Sequence, residues 1–195
     1  ITTSASKPAQ ADGTILVPFS PESELSGVGH VLQPEEYLWY IRTVTLPDGF
    51  NVGRVLLHFG AVDWKADVWV NGIKVGSHTG GYTAFSFDIT AALNAKGENT
   101  LQVRVVDGTD TGYQPRGKQV SDPKGIWYTS VSGIWQTVWL EPVPENHITR
   151  VLSTPDIDHH TLTVDVATSL PSTRAIAEVI VKDGSQIVAR GKSIN

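Results

Sequence analysis

The sequence predicts an all-β protein, and three observations carry that expectation. Short runs of β-branched and aromatic residues recur along the chain, turn residues punctuate them, and helix-period apolar patterning is nearly absent. Regular short strands with such punctuation read as a sandwich or a barrel.

The elements follow in order. Leu38–Leu46 is rich in β-branched and aromatic residues and closes at Pro47-Asp48-Gly49. Val55–Phe59 follows and ends at Gly60. Asp67–Val70 leads through Asn71-Gly72 into Ile73–Val75. Asn-Gly between two apolar runs is a hairpin signal, because both residues tolerate positive φ. Phe85–Asp88 alternates, and Ile89–Leu93 is the one plausible helical turn, with Asp88 as its cap. In Thr100–Val106, Leu101, Val103 and Val105 share one face, and Gln102 and Arg104 the other. Ile134–Leu140 is a further strand. Trp39, Trp69, Trp135 and Trp139 lie inside strand patterns and are expected in the core.

A boundary is expected at Glu141-Pro-Val-Pro-Glu-Asn146, where two prolines stiffen the chain. Residues 1–144 form the first domain in this reading and 145–195 the second. The second carries strands at Ile148–Ser153, Thr161–Ala167, Ala175–Lys182 and Gln186–Arg190, with a hairpin turn at Asp183-Gly184. Its length is well short of the ~100 residues of an immunoglobulin-like sandwich. The expectation is a second domain only partly present, whose residues 148–195 either self-associate or stay poorly ordered. Position 1 is Ile and Met is absent, as in an excised or processed piece.

Composition narrows the functional classes. The 195 residues carry a net charge of −5, whereas a chain that neutralises nucleic-acid phosphates is usually basic. No apolar run approaches a membrane span of ~18 residues. With no cysteine, disulfides, Cys-based metal sites and Cys nucleophiles are excluded. Zero Cys fits an exported bacterial protein, periplasmic or extracellular. His159-His160 reads as a turn, and neither metal ions nor cofactors are expected.

The segment Val106–Ile126 breaks the pattern. It is long, polar and rich in Gly and Pro, and loops beyond ~12–15 residues are usually functional or disordered. Arg116, Lys118 and Gln119 supply donors, Asp110 and Asp122 acceptors, and Tyr113, Trp127 and Tyr128 ring faces. Sugars call for that mixture, since hydroxyls need paired donors and acceptors and C–H faces stack on rings. Asp107, Asp110 and Asp122 also read as ordinary turn formers.

Several blocks resemble one family. Phe59-Gly-Ala-Val-Asp-Trp-Lys-Ala-Asp-Val-Trp-Val-Asn-Gly72 and Val75–Thr90 are two of them. Asn99–Asp107, Gln114-Pro-Arg-Gly-Lys-Gln119 and Ser132-Gly-Ile-Trp-Gln-Thr-Val-Trp-Leu-Glu141 are others. With Pro21–Gly27 and Trp39–Arg42, they resemble the N-terminal sugar-binding domain of glycoside hydrolase family 2 from Val17 to Glu141. The tail from Ile148 is similar to the start of that family's immunoglobulin-like domain. The resemblance implies a jelly-roll, galactose-binding-like β-sandwich, then part of an immunoglobulin-like β-sandwich.

It also implies a parent that is a retaining exo-β-glycosidase, β-galactosidase-like, with two catalytic carboxylates on a (β/α)8 barrel outside this sequence. No residue here is expected to be catalytic. Arg116, Lys118, Gln119, Asp122 and Trp127 are the substrate-binding candidates. The expected partners are a β-glycoside and the barrel of the same parent chain. A stand-alone carbohydrate-binding module and a purely structural spacer remain the alternative readings.

Overall fold

The computed structural model describes residues 1–94, 96–170 and 176–194. The chain separates into two compact units, Ile1–Pro142 and Val143–Asn195.

Among the described residues, the first unit is built on eleven strands. The principal ones are β1 (Leu38–Thr45), β2 (Arg54–Phe59), β4 (Lys65–Val70), β5 (Ile73–Thr79), β6 (Phe85–Asp88), β7 (Glu98–Val106) and β11 (Val138–Val143). Four two-residue strands accompany them: β3 (Val62–Asp63), β8 (Gln119–Val120), β9 (Tyr128–Thr129) and β10 (Gly133–Ile134). One sheet has the order β1-β7-β4-β5 and the other β11-β2-β6, while β3 pairs with β10 and β8 with β9.

Register decides which side of the larger sheet is core. Leu38, Val105 and Ala66 form one cross-strand row, and Tyr40, Val103 and Val68 the next. All six are buried, facing Val55, Leu57 and Phe59 of β2 within the same cluster. Full burial of a Leu, Val or Phe side chain is worth roughly 1.5–3 kcal/mol, so these rows are the main stabilising term. Gly76 of β5 lies directly under the Phe87 ring, which a Cβ there would strike. The backbone polar groups near the β4–β5 turn are satisfied by side chains. Asn71 Nδ2 donates to Asn99 Oδ1 and to the Ala92 carbonyl, both at 2.8 Å, and Thr100 N donates to Asn71 Oδ1 at 2.9 Å. Asn71 and Gly72 both have positive φ, as the expected hairpin turn requires.

Three expectations need correction. No tryptophan belongs to the buried core among the described residues. Trp39 and Trp69 point to the outer side of the four-stranded sheet, because Leu38 and Tyr40 take the inner one; Trp139 is 44% exposed. Ile134–Leu140 is not one strand. It breaks between β10 and β11, where the Trp135 indole N–H donates to the Gly81 carbonyl at 2.8 Å. The helical turn shortens to a 3-10 turn, Thr90–Ala92, with Asp88 Oδ1 accepting from Thr90 N at 3.0 Å.

Among the described residues, the second unit holds two antiparallel hairpins. One pairs β12 (Ile148–Asp156) with β13 (Thr161–Thr168), the other β14 (Ile176–Asp183) with β15 (Gln186–Ile194). Asp183 pairs with Gln186, so the turn residues are Gly184 and Ser185 rather than Asp183-Gly184. The expected strand start at Ala175 lies outside the described residues. Val151, Leu162, Val164 and Val166 of one hairpin and Val179 and Val181 of the other line an open groove of about 430 Å³.

Candidate functional site

The segment joining β7 to β10 is tied down by a few buried polar side chains. Asp107, at the end of β7, is 1% exposed. Its Oδ1 accepts from Thr109 N at 2.8 Å and Gln114 Nε2 at 2.5 Å, and its Oδ2 from Ser132 Oγ at 2.8 Å. One carboxylate thus holds the entry, the first bend and the exit of the loop. Further out, Asp110 Oδ1 accepts from Ser121 Oγ at 2.6 Å. The loop folds back on itself where β8 and β9 pair in parallel, Gln119 opposite Tyr128.

Gln119 links this loop to the floor beneath it. Its Oε1 accepts from Val131 N, and its Nε2 donates to the Tyr82 hydroxyl at 3.1 Å and to Asp63 Oδ2 at 3.5 Å. Asp63 is 2% exposed, and its Oδ1 is buried with no hydrogen-bond partner. Gly81 packs directly on the carboxyl group, and any side chain at that position would collide with it. The Tyr82 ring meets Trp135 edge-on at 6.2 Å between centroids. Glu22 Oε2 accepts from Ser132 N at 3.1 Å, and Ile134 N donates to the Tyr40 hydroxyl at 3.1 Å.

Burial pushes the Asp63 carboxyl up to about 7, and the charges of Asp107 and Glu22 push the same way against the opposing Gln119 hydrogen bond. Strongly perturbed carboxyls with unmet hydrogen-bonding capacity concentrate at functional sites. Burial likewise holds the Tyr40 hydroxyl above its ordinary range.

The residues singled out from sequence occupy three settings. Gln119 is part of the floor. Arg116 Nη1 stands 3.7 Å from Asp110 Oδ2, and Lys118 Nζ lies 5.8 Å from the Tyr128 ring centroid, so both are held along the loop. Asp122 sits at the rim, 80% exposed, paired with Lys124 at 2.7 Å. Trp127, Tyr128 and Tyr113 present exposed ring surface. Donors and ring faces therefore share one loop, but Asp122 forms no hydrogen bond with the Asp63 and Gln119 cluster among the described residues.

Sequence reasoning missed Asp63, Tyr82, Gly81, Trp135 and Glu22. One signal was present for Asp63: a carboxylate directly after the apolar Ala61-Val62, in a stretch otherwise reading as buried strand. Among the described residues, no cluster of His, Asp or Glu could hold a metal ion.

Comparison with known proteins identifies the family. The sugar binding domain of glycosyl hydrolases family 2 matches residues 30–144. A beta-galactosidase of Thermoanaerobacter pseudethanolicus is 30% identical over 165 residues, covering 80% of this chain and 21% of that protein. The rat beta-glucuronidase is 30% identical over 176 residues, covering 80% and 27%. The solved Faecalibacterium prausnitzii beta-glucuronidase superposes with a TM-score of 0.74 at 26% identity, over 96% of this chain and 35% of that one. The chain therefore spans about a fifth to a third of the length of these relatives. Through its match over residues 30–144, the chain belongs to glycosyl hydrolases family 2, whose sugar binding domain it carries.

Proposed function

We propose that this chain is the N-terminal, non-catalytic part of a retaining exo-β-glycosidase of the β-galactosidase type. The observation that carries the reading is the family match over residues 30–144 in a chain spanning only 21% and 27% of two glycosidase relatives. Retaining hydrolysis uses two carboxyl groups ~5–5.5 Å apart, one as nucleophile and one as acid/base. In this reading both belong to a barrel elsewhere in the parent. The sandwich braces that barrel, and the 107–131 loop walls the sugar pocket. Its work is to place the substrate and exclude water rather than to break a bond. Gln119 and Arg116 would donate to hydroxyls, Lys118 and Asp122 would add polar contacts, and Trp127 would offer a stacking face.

The apolar groove of the second unit suits association with another β-rich surface. When this chain stands alone, we propose that a second copy fills that role through residues 148–195.

The test uses chromogenic β-galactosides and β-glucuronides. The 195-residue chain should give no turnover above a mock-purified control. In the full-length parent, Arg116→Ala and Gln119→Ala should each lower kcat/KM. Loss of a charged hydrogen bond, worth ~1.5–3 kcal/mol, corresponds to roughly 10–150-fold for Arg116. Turnover by the chain alone overturns the non-catalytic reading. Unchanged kinetics for both variants removes the loop from the pocket.

A further inference from the structure

The connection between β5 and β6 is short and held from several sides. Gly80 N donates to the Trp64 carbonyl at 2.9 Å. Gly81 lies against the Asp63 carboxyl, and its own carbonyl accepts from the Trp135 indole at 2.8 Å. Thr83 Oγ1 stands 3.2 Å from His78 Nε2. Tyr82 leaves this pinned turn with its ring edge-on to Trp135, yet 53% exposed.

The Tyr82 hydroxyl sits beside the run that carries the sugar-binding candidates. Gln119 Nε2 donates to it at 3.1 Å, and a Cβ on Gly117 would come within 3.9 Å of it. The direction of that hydrogen bond follows from the other half of the Gln119 amide. Val131 N can only donate, so it selects Gln119 Oε1 and turns the NH2 group toward Tyr82. The phenolic oxygen is therefore the acceptor, and among the described residues its own proton meets no acceptor.

An exposed ring ordinarily moves between rotamers and loses that freedom when a ligand lands on it. Here the freedom is already lost on folding, because Trp135, Gln119 and the pinned turn hold ring and hydroxyl in one pose. Such a phenol offers a sugar a surface for its C–H face and a donor for one hydroxyl, at reduced ordering cost.

We propose that Tyr82 is a sugar-contacting residue of the parent enzyme: the β5–β6 connection is a second segment of the pocket wall, and its phenol donates to one hydroxyl of the glycoside. This rests on the pocket-wall reading above and extends it from one loop to two segments. A single neutral donor in a fixed pose reads one ring position, which makes Tyr82 specificity-determining.

Tyr82→Phe in the full-length parent provides the test, since it removes one oxygen and keeps the ring against Trp135. Kinetics are read on the nitrophenyl β-galactoside or β-glucuronide that the parent hydrolyses, and on its monodeoxy analogues, each lacking one ring hydroxyl. On the complete glycoside kcat/KM should fall roughly 2- to 12-fold, the worth of one neutral hydrogen bond. On the analogue lacking the hydroxyl that Tyr82 reads, the same substitution should cost nothing. The penalty on the complete glycoside should also persist in a Gln119→Ala background. No penalty on the complete glycoside overturns the proposal, and so does an equal penalty on every analogue, the mark of a purely structural role. Loss of the penalty in the Gln119→Ala background overturns it as well, by reducing Tyr82 to a support for Gln119. Arg116→Ala reports on the loop without touching Tyr82, so the two readings fail separately.

Discussion

Arg104 should be among the most destabilising surface-side positions to truncate, and the structure says by how much. On the outer side of the four-stranded sheet, Trp39, Arg104, Asp67 and Ser77 lie in one cross-strand row. Arg104 Nη2 reaches Asp67 Oδ2 at 2.7 Å, and its Nη1 donates to the Ala5 carbonyl at 2.9 Å. The guanidinium carbon lies 5.5, 5.8 and 5.7 Å from the ring centroids of Tyr37, Trp39 and Trp69. A charged hydrogen bond is worth ~1.5–3 kcal/mol. Its lower end applies, because Lys74 and Ser77 still hold Asp67 after truncation. The ring contacts, partly exposed, add roughly 0.5 kcal/mol or more each. Arg104→Ala should therefore lower stability by about 3 kcal/mol. Arg104→Lys keeps the charge but loses the planar fork, and should lower it by about 1–1.5 kcal/mol. Urea unfolding followed by tryptophan fluorescence reads the cluster directly, since Trp39 and Trp69 are stacked in it at 5.4 Å. A loss below about 1 kcal/mol for Arg104→Ala, or a Lys variant as stable as wild type, would refute this account.

The same row makes an acid-limb prediction. Burial pushes the Asp67 carboxyl up, but hydrogen bonds from Lys74, Ser77 and Arg104 outweigh it and hold it well below the ordinary 3.8. That stabilisation is present above the unfolded value and is lost as pH falls toward the folded one. The stability gap between wild type and Asp67→Asn, measured by urea titration, should thus be constant near neutrality and narrow below about pH 4. Gly76→Ala should destabilise by ~1–3 kcal/mol through collision with Phe87, and Phe87→Leu should recover part of the loss in thermal melts. Light scattering should find the 195-residue chain larger than a monomer and a chain ending at Glu145 monomeric; a monomeric full chain would discard the proposed self-association.

Much of this fold could be read from the strand runs because alternation is a local property. The β7 pattern names Val103 and Val105 as inward residues without knowledge of their partners, and Asn71-Gly72 fixes a hairpin by backbone preference alone. Alternation does not say which side is inward when both are apolar. In β1, Trp39 competes with Leu38 and Tyr40, and only the pairing with Arg104 and Asp67 sends the indole outward. The site divides the same way. The loop and its donors were visible as a long polar interruption between strands. Its floor was not, because Asp63 meets Gln119 across 56 positions and Glu22 meets Ser132 across 110. Nothing local in Pro21-Glu22-Ser23 distinguishes that glutamate from any solvated one.

The strand order has a consequence for how the chain is made. In the larger sheet β7 lies between β1 and β4, and in the smaller one β2 lies between β6 and β11. A ribosome delivers residues in sequence, so the β4–β5 hairpin can zip as soon as it emerges. The four-stranded sheet must wait for Val106, and the facing sheet for β11, close to residue 143. Until then Val55, Leu57 and Phe59 have no complete layer to cover them. Such long waits with exposed apolar strands are when nascent chains are most open to wrong pairings. Closure of this sandwich waits for its last strand, and holding chaperones have their longest window on the segment from β1 to β6.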